Sequence, residues 1–423
     1  MKQYDVAIIG GGISGTALLY ELARRGDVQK VVLLEKYGSL AAVNSHGRNN
    51  SQTLHCGDIE TNYTLEKALQ VQKTAQMVVD YAESLPPFER ERLIFKYPKM
   101  VLAVGEQECD KLTTRYESFH PHFPEMELLD AQGIATIEPM VVEGREQRIN
   151  AIAVRDQYSA VDFNLLAHSF VEQALRLQPG FEVQLGTRVG TITQQAGGFV
   201  IESSAGRLAA KSVVVSTGGH SLLFAQQMGY GQEYACLPVA GSFYFTPQLL
   251  NGKVYTVQND KLPFAAVHGD PDLLVPGKTR FGPTALVLPL LERYHWETLP
   301  QFLRVTKPQL AVLRVMGNLL SEAEVRHYML RNILYEVPGL GRRLFLKEAQ
   351  KIIPTLQLEQ LEFAKGFGGI RPVMIDKAQQ KLHLGEAQID PGTGILFNMT
   401  PSPGATSCLG NAQRDADRIV NFL

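Results

Sequence analysis

The sequence predicts a mixed α/β and α+β chain, in which a parallel-sheet nucleotide-binding domain is interleaved with an antiparallel-sheet domain that carries helices. Three observations predict it. Residues 4–36 run strand, glycine turn, helix, strand. Residues 237–291 are rich in strand formers broken by Pro and Gly, the pattern of a mainly antiparallel sheet. No internal repeat, low-complexity tract or disordered linker separates the two patterns, so the chain is expected to cross between the domains several times.

The first element justifies itself residue by residue. An apolar run, residues 4–9, reads as a buried strand, and Gly10, Gly12 and Gly15 follow in GxGxxG spacing. Gly10 suits a tight turn, Gly12 a close approach of backbone to a pyrophosphate, and Gly15 close packing of helix on strand. Residues 13–25 then show helical periodicity through Ala17, Leu18, Leu22 and Ala23. The helix N-terminus offers free N–H groups and a positive dipole end to phosphate. Val31, Val32, Leu33 and Leu34 form a second strand, and Glu35 sits where an acid can hydrogen-bond a ribose diol. A lone GxGxxG is weak; in this Rossmann-like context it indicates a dinucleotide site.

The remaining elements follow in order. Residues 45–62, SHGRNNSQTLHCGDIETN, form a polar loop longer than a turn requires. Residues 64–84 are periodic as a helix that Pro86 and Pro87 end. Residues 92–104 read as strands, 110–119 as a helix, and a further short helix is stopped by Pro139. Residues 162–177 are helical. Residues 181–185, 189–193, 198–203 and 208–216 alternate as strands, the last closing in STGG. Residues 296–351 are mostly helical, and the chain ends with a hairpin-like KLHLGEAQIDPGTGILFNMT and a loop entering a terminal helix. The expected division is 1–88, 150–225 and 355–423 for the nucleotide-binding domain, and 89–149 and 226–354 for the substrate and acceptor domain.

Composition excludes several classes. A net charge of −2 gives no global field for nucleic acid. Four cysteines without CxxC spacing argue against a zinc site or a disulfide framework, and no metal site is expected. No run approaches the ~20 apolar residues of a membrane span. The opening strand is not a signal peptide, so a cytoplasmic protein is expected.

Four stretches carry a resemblance: RNNSQTLHCGDIETNYT (48–64), PFAAVHGDPD (263–272), GFGGIRP (366–372) and TPSPGATSCLGNA (400–412). With a single GxGxxG and the STGG strand, they resemble the D-amino acid oxidase superfamily of FAD-dependent oxidoreductases, which couples one FAD-binding domain to an antiparallel substrate domain. Within it the chain resembles the malate:quinone oxidoreductases. It is also similar to the L-2-hydroxyglutarate dehydrogenases, through Asn50, Ser51 and His55 and through Pro263, Phe264, Val267 and His268. The resemblance implies FAD-dependent oxidation of (S)-malate to oxaloacetate, with electrons passed to a quinone and peripheral contact with the inner face of the cytoplasmic membrane. The alternatives are an enzyme acting on L-2-hydroxyglutarate, an amino-acid or amine oxidase, and a flavin-binding protein without turnover.

Oxidising a 2-hydroxy acid needs a cation for the carboxylate and a base for the hydroxyl proton. Arg371, between flexible glycines and a rigid proline, is the first carboxylate binder, against a structural pairing with Asp376. Arg280 is the candidate for a second carboxylate, against a solvated strand-end arginine. His268 and His55 are the base candidates, His268 ahead through its PFxxVH context. For the cofactor, Gly10, Gly12, Ile13, Ser14 and Gly15 are expected at the pyrophosphate, and Glu35 and Lys36 at the adenosine ribose. Asn49, Asn50, Ser51, Gln52 and Thr53 are expected along the pyrophosphate or isoalloxazine. The resemblance places the Val189 backbone at the adenine, Thr217 and Gly218 near the adenosine, and Gly369 against the cofactor. Gly404, Ala405 and Thr406 bring the last helix N-terminus to the flavin N1/C2=O edge, where its dipole stabilises the reduced form. No cysteine or histidine is placed for a covalent link, so FAD is expected to be non-covalent. Basic residues Arg326, Arg331, Arg342, Arg343 and Lys347 interleave with Met329, Leu330, Ile333, Leu334, Leu344 and Phe345. That pattern suits a headgroup layer or, equally, a core-facing helix pair.

Overall fold

The computed structural model describes residues 1–259, 266–307, 309–383, 387–400 and 403–423. Its first strand, Lys2–Ile9, is central to a sheet because its last four side chains are all buried apolar residues. Among the described residues eight strands join that sheet. Five of them run parallel, Ile395–Met399, Gly206–Val215, Lys2–Ile9, Val31–Leu34 and Glu182–Gln184, with Ala387–Ile389 antiparallel at one edge. Helices Ile13–Arg25, Phe163–Leu177, Leu65–Glu83 and Cys408–Phe422 cover one face, meeting it through Leu18, Leu22, Phe170, Val78 and Ala416. The first helix ends where Gly26 takes φ 74° and returns its N–H to Leu22.

The glycine turn between strand and helix is sterically required. Gly10 has φ +109°, and a Cβ there would meet Ser216 O at 2.4 Å; a Cβ on Gly15 would meet Gly10 O at 2.0 Å. The two strand ends, at Ile9 and Val215, therefore close on one another, with Ser216 N–H donating to Ile9 O at 2.8 Å.

A second sheet of eight described strands is mostly antiparallel, in the order Glu362–Phe363, Tyr244–Pro247, Lys278–Gly282, His268–Pro271, Lys253–Thr256, Lys99–Val104, Ile149–Val154, Glu127–Leu129. One contact in it, Lys253–Thr256 on Lys99–Val104, is parallel. A four-stranded sheet sets Ile370–Asp376 against Tyr234–Ala240. The interleaving is as expected, but the divisions at 150 and 355 do not follow the sheets. Ile149–Val154 pairs with Lys99–Val104, and Ile370–Asp376 pairs with Tyr234–Ala240. Both strands are mostly buried, and a buried strand's sequence does not reveal its pairing partner.

Three local expectations are corrected. Helix Pro87–Leu93 takes the start of the expected strand region, because Pro at a first helical position starts a helix. Pro139 likewise opens Pro139–Val142 instead of stopping a helix. The terminal hairpin is Ala387–Ile389 with Ile395–Met399, while Lys381–His383 pairs back onto Ile370–Asp376. Pro263 and Phe264 of the PFxxVH element, and residues 401 and 402 of the closing loop, lie outside the described residues.

The polar loop is fixed between the layers by buried charge. Lys253 is enclosed, and its ammonium donates to Asp270 (3.1 Å), Ser51 O (3.3 Å) and Thr53 Oγ1 (3.3 Å). Arg280, fully buried, pairs with Asp272 at 3.1 Å and Asp270 at 3.6 Å and donates to Gly47 O at 3.2 Å. Burial pushes the Asp270 carboxyl up, but Lys253, Arg280 and His268 outweigh it and hold it below the usual carboxylate range. His268 lies behind this group, stacked on Tyr255 with ring centroids 4.5 Å apart, and Tyr255 bonds Thr53 through its hydroxyl at 2.7 Å.

Burial, joined by the nearby cations, pulls the His268 pKa down to about 3 despite Asp270. The folded state therefore holds fewer protons than the unfolded chain between about pH 6.5 and 3. His268 contributes stability that is complete above the unfolded pKa and lost as pH falls through that window, by up to about 1.4 kcal/mol per pH unit. Urea unfolding of wild type and His268→Phe between pH 7 and 4.5 is expected to show a shallower acid loss in the variant. Parallel losses contradict the burial argument.

Candidate active site

One cavity of about 530 Å³ runs from the glycine turn to the four-stranded sheet, where Val239, Ala240, Ile370 and Arg371 line it. Gly10, Gly12, Ile13 and Ser14 line it, with Glu35, Lys36, Thr187, Val189, Thr217 and Gly218 at the same region. Asn49, Asn50, Ser51, Thr53, His55, Gly369, Arg371, Ala405 and Thr406 also line it. Most expected site residues are thus brought to one space.

Their positions have local causes. Glu35 accepts the Gly11 N–H at 2.7 Å and the Tyr37 N–H at 2.8 Å, so its carboxylate is locked before any ribose arrives. Lys36 is drawn aside into a 2.5 Å pair with Glu292, which Tyr37 also meets at 2.5 Å. The polar loop is held by its own amides: Asn49 Nδ2 donates to Val43 O at 2.8 Å and Asn50 Nδ2 to His46 O at 2.9 Å. Gly368 N–H donates to Arg48 O at 2.9 Å, and a Cβ on Gly369 would meet Asn49 O at 2.2 Å, so the GFGG turn packs directly on the loop. Thr406 Oγ1 accepts the His55 N–H at 3.1 Å and ties the last helix to the same loop.

Arg371 lines the cavity deep in the molecule. Burial lowers its pKa, with only Tyr328, Tyr63 and Tyr255 opposing, and no carboxylate pairs with it among the described residues. Asp376, its alternative partner, accepts instead from the Ala378 and Gln379 N–H groups and lies 3.6 Å from His383. A half-buried guanidinium on a cavity wall with no carboxylate partner is the arrangement that recruits an anion.

His55 also lines the cavity, and its Nδ1 lies 2.8 Å from Glu60 Oε1. Of the two base candidates, His55 is the one that lines the cavity. His268 sits among buried side chains behind the loop and is absent from the cavity lining. Arg280 is also corrected: it is neither a substrate cation at the cavity nor a solvated strand end, but a clamp on the loop. Gln52 turns away from the cavity, donating to Gly47 O at 3.2 Å and accepting the Leu273 N–H at 3.0 Å. Gly15 and Gly404 support the lining without joining it.

Sequence reasoning left Asn44, Ser45 and Glu60 without roles. Ser45 Oγ accepts the Ile13 N–H at 3.0 Å at the first helix N-terminus, and Asn44 Oδ1 accepts the Ile370 N–H at 3.2 Å. The only signal for them was the excess length of the polar loop.

The arrangement fits FAD. Gly10 leaves backbone where a side chain would clash, and Glu35, the Arg371 guanidinium and the His55 imidazole all line the same cavity. Residues 5–418 match the FAD dependent oxidoreductase family model. The chain is 48% identical to a probable malate:quinone oxidoreductase of Campylobacter jejuni, over 100% of this chain and 96% of that protein. It is 46% identical to malate:quinone oxidoreductase of Helicobacter pylori strain J99, over 100% and 95%. Among solved structures it is similar to glycine oxidase from Geobacillus kaustophilus, with a TM-score of 0.69 at 20% identity over 99% of this chain and 95% of that one, which shows the fold. The chain belongs to the FAD dependent oxidoreductase family and, within it, to the malate:quinone oxidoreductases.

Proposed function

We propose that this chain oxidises (S)-malate to oxaloacetate and passes the electrons to a quinone. The single observation that carries the chemistry is that Arg371 and His55 line the same cavity as the glycine turn and Glu35. The names of the full-length relatives support the choice of substrate and acceptor.

Gly10, Gly12, Ile13, Ser14 and Glu35 hold the nucleotide part of FAD, and Asn49, Ser51, Ala405 and Thr406 flank its far end. When bound, FAD supplies the hydride acceptor. Arg371 grips the substrate carboxylate with its planar fork and orients C2. His55 takes the hydroxyl proton at Nε2. The last helix, Cys408–Phe422, starts at this wall and lends it the positive end of its dipole. Non-covalent FAD is the reading supported by the cavity lining, in which no cysteine stands among the described residues.

We place the acceptor side at a membrane surface. No helix of the described residues is long and apolar enough to cross one. Helices Leu310–Ser321, Ala323–Tyr335 and Leu340–Gln350 instead leave Leu313, Leu330, Ile333, Leu334 and Leu340 exposed beside exposed Arg314, Arg326, Arg342 and Arg343. Phe345 belongs to the core and Met329 and Leu344 are half-buried, so only part of the stripe serves this purpose. A basic face with protruding leucines suits an anionic headgroup layer.

Anaerobic mixing with malate is expected to bleach the flavin band of wild type. Arg371→Ala is expected to keep FAD but lose about 10²–10³-fold in kcat/KM, the worth of two charge-assisted bonds. Unchanged kinetics in that variant remove Arg371 from the site, and bleaching by 2-hydroxyglutarate but not malate overturns the substrate. Co-sedimentation with phosphatidylglycerol vesicles is expected for wild type and reduced in Leu330→Asp/Leu334→Asp. No binding at low salt overturns the membrane surface.

A further inference from the structure

Resting on the reading of His55 as the base, we propose that Glu60 is its positioning residue, a carboxylate that fixes which imidazole nitrogen carries the proton. Glu60 is not in the cavity lining; it stands behind His55, its side chain 9% exposed against 15% for the histidine. Gly57 brings the two together. It has φ +86°, and a Cβ there would meet Ala68 O at 2.2 Å, so the chain turns back at this point and sets Glu60 Oε1 2.8 Å from His55 Nδ1.

Burial would raise the Glu60 pKa. The hydrogen bond from His55, with the positive charge of Lys99 nearby, overcomes it and holds the carboxyl below the usual range. The surroundings balance: Lys99 pairs with Asp58 at 2.7 Å, and Arg115 donates to the Glu60 carbonyl at 2.6 Å. An ionised carboxylate only accepts hydrogen bonds, so His55 Nδ1 is the protonated nitrogen and Nε2 keeps its lone pair. Nε2 has no partner among the described residues, and His55 lines the cavity. As the substrate hydroxyl proton passes to Nε2, the imidazolium forms beside an existing negative charge, so the transfer needs no rearrangement of the protein. Glu60 does not touch substrate; it acts through His55, as the acid of a nucleophile–histidine–acid triad acts through its histidine.

The test has two parts. Nitrogen-15 spectra of histidine-labelled holoenzyme at neutral pH, with His55 assigned by its absence in His55→Asn, are expected to show the Nδ1–H tautomer; the Nε2–H tautomer overturns the proposal. This readout needs no substrate, so it stands or falls apart from the assignment of malate. In rapid-mixing reduction by malate, Glu60→Gln is expected to slow the bound flavin's reduction about 10²-fold, within the range for a positioned base, while KM changes less than about 3-fold. Glu60→Asp is expected to recover part of that loss, and His55→Asn/Glu60→Gln to be no slower than His55→Asn alone. A further loss in the double variant shows that Glu60 acts other than through His55 and overturns the proposal.

Discussion

Two buried cations gripping a polar loop hold this structure's site together. Lys253 and Arg280 project from the antiparallel sheet and donate to carbonyl oxygens at Ser51 and Gly47. Charges taken out of water are costly unless they are paired and hydrogen-bonded, and removing one partner of such a set costs about 3–5 kcal/mol. Asp270, Asp272 and the loop carbonyls pair these charges, though not every hydrogen bond is made, and they do so only when the loop lies in one place. The loop therefore gains a fixed course without a regular hydrogen-bond ladder of its own.

That fixed course joins cofactor chemistry to substrate chemistry. On one side the loop meets the glycine turn, where Ser45 accepts from Ile13. On another it meets the GFGG turn that carries Arg371. Its far end is tied to the last helix through Thr406 and to Glu60 through His55. In the proposed function, one segment thus sets the distance between the backbone that would hold the nucleotide and the guanidinium and imidazole that would meet the substrate. Positioning of this kind accounts for a large share of catalysis, because small misplacements of reacting groups are costly.

The parts legible in the sequence were those encoded locally. Strand, glycines, helix and acid lie within 36 contiguous residues, and each has a steric or electrostatic reason visible in its own neighbourhood. Arg371 was legible because glycines and a proline flank it. The histidines were not separable, since His55 and His268 both sit in motif-like words, and only burial shows that one faces the cavity and the other a tyrosine. Arg280 failed for the same reason: a charged residue near a strand end shows no sign of the two aspartates that enclose it. Glu60 lies five residues after His55 in the sequence, yet their contact depends on the left-handed turn at Gly57, which reads as an ordinary loop glycine. Sheet membership was the least legible feature, because Ile149–Val154 and Ile370–Asp376 choose their neighbours through tertiary pairing.

The proposed mechanism seats substrate between Arg371 and His55 in the FAD cavity. A crystal structure of the FAD-loaded protein with oxaloacetate tests it most directly. The expected result is a carboxylate of the ligand on the Arg371 guanidinium, with its C2 oxygen within hydrogen-bond reach of His55 Nε2. A ligand seated against Arg280 or His268, or a flavin lying outside the cavity lined by Gly10, Asn49 and Thr406, contradicts it.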